Sequence, residues 1–208
     1  LLWGISPSKM AETGSGDSMV QAYNYRICLT TDKDNMLPIE CPANYNPQHY
    51  ELLLRVIEAL KSENLNSYFI ISPMPNNKTD INNRGAFSTD MIGMNHNYPE
   101  ASYAEREQII QAHKDYTLGL LWFMGHDERV PQKLREQMLS YGLPKDEYVE
   151  SDHWTPQLYI REARRMVGEY VATQANCDNI AKVDDGVGMA AYTMDSHNCQ
   201  RIVIEKDG

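Results

Sequence analysis

A chain of 208 residues, 42% hydrophobic and 23% charged, has ordinary globular composition and is long enough to bury one sizeable core. Its 19 basic and 29 acidic side chains leave a formal charge of −10, which disfavours non-specific contact with nucleic acid or an anionic membrane, because phosphate affinity needs clustered Lys and Arg. No apolar run approaches the roughly 20 residues that span a bilayer, and Cys28, Cys41, Cys177 and Cys199 form no CxxC pair that would present two thiolates to one metal, so free thiols and no metal site are expected.

Leu1-Leu2-Trp3-Gly4 has no initiator Met, basic n-region or cleavage site and reads as a cut end, which leaves the cellular compartment unread. Residues 1–18 lack periodicity and are expected to form an irregular N-terminal segment ahead of a single α+β domain over 19–208. The alternation of Tyr23, Tyr25, Ile27 and Leu29 predicts a strand over 19–30. Asn46-Pro47 supplies an N-cap and a first-turn proline for a helix to about Ser62, along which Tyr50, Leu53, Leu54, Ile57 and Leu60 recur at helical spacing.

Tyr68-Phe69-Ile70-Ile71 reads as a short buried strand, and residues 73–100, dense in Asn, Gly, Pro and Asp, as one long loop of the kind that is usually functional or disordered. Ser102 and Glu105 form a capping box for a long amphipathic helix ending near Gly125. A third helix is expected from Pro131, with Leu134 and Met138 inward, stopping at Gly142 and packing antiparallel to the second. Three strands are expected over 158–167, 187–194 and 200–205, with a short helix over 173–180 capped by Thr173. The order of elements gives α+β with a mixed or antiparallel sheet and several packed helices, without βαβ alternation.

Three groups of residues have the chemistry for a site. Arg161, Arg164 and Arg165 lie in a strand-like run whose alternation sets Arg161 and Arg165 on one face, a pair of forks for a carboxylate or a pyrophosphate; by spacing alone, ordinary cross-strand ion pairs with Asp and Glu are the stronger reading. Tyr192, Asp195 and His197 offer a histidine that exchanges protons near neutrality and a carboxylate to orient it; Asp-Ser-His-Asn is also good turn chemistry, and without a paired nucleophile motif a turn is the stronger reading. The loop containing Lys78, Asp80 and Asn83 gathers cations, amides and carboxylates suited either to small-molecule binding or to simple solvation. Gly14-Ser15-Gly16-Asp17 is neither GxGxxG nor a phosphate-binding P-loop.

Val20-Gln21-Ala22-Tyr23-Asn24-Tyr25-Arg26-Ile27-Cys28-Leu29-Thr30, the 78–90 loop, Gly119-Leu120-Leu121-Trp122-Phe123, Leu158-Tyr159-Ile160-Arg161-Glu162-Ala163-Arg164-Arg165-Met166-Val167-Gly168 and Tyr192-Thr193-Met194-Asp195-Ser196-His197-Asn198 follow one another in an order that resembles a bacterial family of FAD-dependent oxidoreductases, similar to a branch of the glutathione-reductase-type flavoproteins. The resemblance covers nearly the whole chain from Met19 and implies the interior, substrate-side domain of a two-domain flavoprotein. It implies FAD in the parent protein, none bound by this segment alone, and, as partners, FAD-binding segments of the same polypeptide with an unnamed small-molecule substrate. By the same resemblance Arg161, Arg164, Arg165, Lys78, Asp80, Asn83 and Tyr192 lie toward substrate or flavin, with His197 and Asp195 as the catalytic pair. Two other classes stay open: a polysaccharide lyase-like β-elimination, with Tyr192 or His197 as base and Arg161 on a uronate carboxylate, and a non-catalytic ligand-binding module. Apolar surface left without its neighbouring domain would favour a homo-oligomer.

Overall fold

A computed structural model describes residues 1–193 and 195–204. Three strands, β1 (Ile27–Thr30), β3 (Phe69–Met74) and β4 (Lys78–Asn83), form an antiparallel sheet in the order β1-β4-β3, and β2 (Met36–Leu37) pairs antiparallel with β5 (Leu143–Pro144). Among the described residues there are also four α-helices, α1 (Glu51–Leu60), α2 (Tyr103–His126), α3 (Gln132–Leu139) and α4 (Gln174–Cys177), with short 3-10 turns between elements. The fold is α+β, as the element order predicts, and every ladder among the described residues is antiparallel.

The register explains which sheet face is dry. Ile27 stands opposite Ile81, which stands opposite Ile71, and this row packs on the core; Cys28, Asp80 and Ser72 make the next row, on the other face. The Arg26 guanidinium grips the Asp80 carboxylate on that outer side, through Nε at 3.0 Å and through Nη2. Thr79 takes a core-facing place because its hydroxyl both donates to the Leu29 carbonyl at 3.1 Å and accepts from the Leu29 amide at 3.3 Å.

β4 corrects the expectation of one loop across 73–100. Asn76 and Asn77 both have positive φ, at 60° and 56°, and the Lys78 amide donates to the Pro75 carbonyl, so two consecutive left-handed asparagines turn β3 back on itself as a hairpin. The sequence of β4 is poor in strand formers, and its pairing with strands on both sides overrides that local preference.

Helix starts follow the caps. Asn46 caps a 3-10 turn at Pro47–Tyr50 that runs into α1, which ends at the left-handed Lys61, and Ser102 with Glu105 forms the expected box on α2. α2 buries His113, Tyr116, Leu120, Leu121, Phe123 and Met124. Gly119 lets Tyr50 reach the helix: a Cβ there would lie 2.2 Å from the phenol oxygen, which donates to the Tyr116 carbonyl at 2.9 Å. α3 stops at Leu139 rather than Gly142; that glycine instead bridges Thr30 through two backbone hydrogen bonds, and a Cβ on it would meet the Leu37 carbonyl at 2.2 Å.

The expected strands beyond residue 157 do not form among the described residues. Tyr159 makes one antiparallel bridge to Asn24, and the stretches 160–172 and 182–193 run without ladder partners; the ends of two expected strands, Met194 and Glu205, lie outside the described residues. The strand expected over 19–30 is likewise confined to β1, its earlier part serving instead as a hydrogen-bonded seam. α4 begins where Thr173 predicts, with its amide donating to the Asn176 side chain at 2.9 Å. Residues 1–18 hold no helix or strand, yet Trp3 stacks on His49 at 4.4 Å and on Tyr116 at 5.5 Å.

Candidate functional site

The seam ahead of β1 organises the site. Ala22 and Asn24 are fully buried, and their polar groups reach three segments that are far apart in sequence: 86–95, 159–162 and 197–198. Where those segments meet lies Asp90, 5% exposed, its amide held by the Ser88 hydroxyl at 3.2 Å. Its two carboxylate oxygens divide the work. Oδ1 accepts from Arg161 Nη2 at 3.3 Å, and Oδ2 faces His197 Nδ1 at 2.7 Å.

This arrangement fixes the histidine tautomer. A buried carboxylate bonded to a guanidinium is an acceptor, so Nδ1 carries the proton toward it and Nε2 bears the lone pair of the neutral ring. Nε2 lies 3.6 Å from Asp195, whose carboxylate is largely exposed. The pair expected from sequence, His197 with Asp195, is therefore close in space, but the short contact that orients the ring comes from Asp90.

Arg161 is held almost as tightly. Nε donates to the Ala22 carbonyl at 2.8 Å and Nη2 also to Asn24 Oδ1 at 3.0 Å, while the guanidinium lies 4.8 Å above the Tyr159 ring. Only Nη1 lacks a partner among the described residues. Arg164 instead reaches the exposed Glu100 through two bonds of 3.2 Å, and Arg165 is exposed without an ion-pair partner among the described residues. The three arginines do not form one clamp, because the run is extended but unpaired and each side chain finds its own surroundings.

Lys78, Asp80 and Asn83 lie on β4. The Lys78 ammonium donates to Asp146 at 2.8 Å and to Glu147, hydrogen bonds that raise its pKa, and Asp80 is taken by Arg26. Asn83 pairs with Phe69 in the ladder. Lys78 and Asp80 line a surface hollow of about 430 Å³ with Arg26, Glu147 and Tyr148, which shares no residue with the Asp90 cluster. Tyr192 is 90% exposed and joins neither group.

Asp90, Asn24, Gln21 and Glu162 are the members that the sequence reading missed. Asp90 closes the very loop that was singled out, but composition favoured its free cations and amides, whereas the residues that meet Arg161 and His197 are buried. The available signal was the polar Ser88-Thr89-Asp90 wedged between Phe87 and Met91-Ile92, apolar anchors that draw a polar run inward.

The sequence matches the family model described as FAD dependent oxidoreductase over residues 4–208. The chain belongs to the FAD-dependent oxidoreductase family. No curated protein and no solved structure gives a significant match to this family member. Among its described residues no group of three or more His, Cys, Asp or Glu is placed to hold a metal ion, and no helix is long and apolar enough to cross a membrane.

The described residues of this family member do not supply the phosphate-binding turn of a dinucleotide site. A dinucleotide's phosphates need backbone N–H groups at a glycine-rich turn leading into a helix. Gly14, at φ +88°, has open space around it and no helix after it, and no parallel strand pair exists among the described residues. The Arg161–Asp90–His197 cluster, by contrast, offers an unspent N–H and an imidazole lone pair on anchored side chains.

Proposed function

We propose that this chain forms the substrate side of an FAD-dependent oxidoreductase, with His197 as proton acceptor, Asp90 as the group that orients it, and Arg161 as the fixed cation beside them. FAD, when bound, accepts hydride from a substrate carbon. The protein's share is to take the proton that the same substrate releases and to hold the negative charge that develops. His197 Nε2 supplies the lone pair, because Asp90 engages Nδ1–H at 2.7 Å. Arg161 Nη1 stabilises the anion as it forms, with its other nitrogens anchored and little reorganisation left to make. Asp195 lies on the outer side of Nε2, where it favours the imidazolium once the proton arrives.

The observation that carries this reading is one buried carboxylate shared between an arginine and a histidine from separate segments. In this account other segments of the polypeptide hold the nucleotide half of FAD. Fluorescence titration of the chain with FAD and with riboflavin tests the division. If only the ring end is recognised here, the two ligands differ in affinity by less than about tenfold. A strong preference for FAD would place the nucleotide site within these residues and contradict the proposal.

A further inference from the structure

We propose that Gln21 is the positioning residue of this site, a clamp that sets the backbone of His197 and ties it to the arginine segment. The role rests on the reading of His197 as the proton acceptor; the clamp itself is measurable without turnover.

His197 follows Arg161 by thirty-six positions, and the only regular element between them among the described residues is the four-residue α4. A chain of that kind cannot aim an imidazole by its own stiffness, since ordering each residue costs about 1–2 kcal/mol that contacts elsewhere must offset. Gln21 makes those contacts with all four of its polar groups. Its side-chain oxygen accepts from the His197 amide at 2.6 Å, and its own carbonyl accepts from Asn95 Nδ2 at 2.8 Å. Its amide donates to Glu162 Oε1 at 2.6 Å, and its side-chain nitrogen donates to Glu162 Oε2 at 3.4 Å.

The neighbouring Ala22 repeats the pattern, donating to the Asn198 carbonyl at 3.1 Å and accepting from Arg161 Nε at 2.8 Å. Residues 21 and 22 thus grip 161–162 on one side and 197–198 on the other. Asp90 holds the ring of His197 and Gln21 holds its backbone, so two points fix where Nε2 faces. Glu162 is the matching half: its carboxylate accepts both donors of Gln21 while its carbonyl accepts from the Tyr23 hydroxyl at 2.5 Å.

The test is NMR of the full chain labelled with ¹⁵N-histidine, following the Nδ1–H protons of His197 and His113. His113 donates from Nδ1 to the Ile109 carbonyl inside α2 and reports that the fold is intact. In the unaltered protein His197 is expected to show a slowly exchanging Nδ1–H. Gln21→Ala should raise its exchange about tenfold, the scale of one lost hydrogen bond, with the His113 proton unchanged. Gln21→Glu should do the same, because it sets a carboxylate against Glu162. The exchanged pair Gln21→Glu with Glu162→Gln restores one amide and one carboxylate, and should recover the slow exchange. Unchanged exchange in Gln21→Ala, or no recovery in the double variant while His113 stays protected, overturns the clamp. Asp90→Ala, which removes the acceptor, separates the two ideas: if it leaves the His197 proton untouched while His113 stays protected, the Asp90 to His197 pairing behind the proposed function fails instead.

Discussion

A carboxylate 5% exposed that serves a guanidinium on one oxygen and an imidazole on the other cannot lose one partner without leaving the rest of a charged group short of bonds. Chemistry-bearing residues of this kind are hard to read from a sequence, because burial of Asp90 depends on three segments meeting and no local pattern encodes it. His197 and Arg161 were legible because histidine and arginine advertise their chemistry; that Arg164 and Arg165 go elsewhere was not, since an extended run without a ladder does not obey strand alternation. The buried His113 makes a pH prediction. His113 donates through Nδ1 to Ile109, its Nε2 is buried without a partner among the described residues, and burial lowers its pKa from 6.5 to about 4. The unfolded chain then binds a proton that the folded chain refuses between those values, so stability is full above pH 6.5 and falls as pH drops toward 4, by about 3 kcal/mol. Urea unfolding across that range should show the decline, and His113→Leu should flatten it; an equal slope in both proteins would remove His113 as its source.

Helices were the best-read elements, because their caps are local. Asn46, Ser102 and Thr173 each stand at or beside the position that composition indicated, and the inward face of α3 contains the expected Leu134 and Met138. The β3–β4 hairpin escaped notice since its turn uses Asn-Asn without glycine and its second strand has only Thr79 and Ile81 to suggest pairing. Gly119 offers a test where two effects oppose. Alanine is favoured over glycine inside a helix by up to about 1 kcal/mol, but its methyl would lie 2.2 Å from the Tyr50 hydroxyl in a core of packed aromatic rings. Overpacking of that order costs about 1–3 kcal/mol, so Gly119→Ala should be destabilised and melt several degrees lower. A variant that melts at or above the original temperature would show that Tyr50 yields without cost.

For the molecule as a whole, the core gathers on the β1-β4-β3 sheet, α1, α2 and α3, while Met166, Val167, Val187 and Met189 stand almost fully exposed along the segment that joins Arg161 to His197. Their sequence alternates well enough to suggest strands, and a strand forms only where a neighbour accepts its backbone bonds; the open side of β1 is already used by Gly142 and, just upstream, Tyr159 meets Asn24. The family match spans residues 4–208, and the proposed chemistry of this chain rests on the contacts that Asp90 makes with Arg161 and His197. The most direct measurement is the rate at which substrate reduces the flavin of the FAD-loaded full-length protein on anaerobic mixing. His197→Ala should slow that step by about 10²–10⁴-fold with FAD still bound; an unchanged rate across pH would contradict His197 as the proton acceptor.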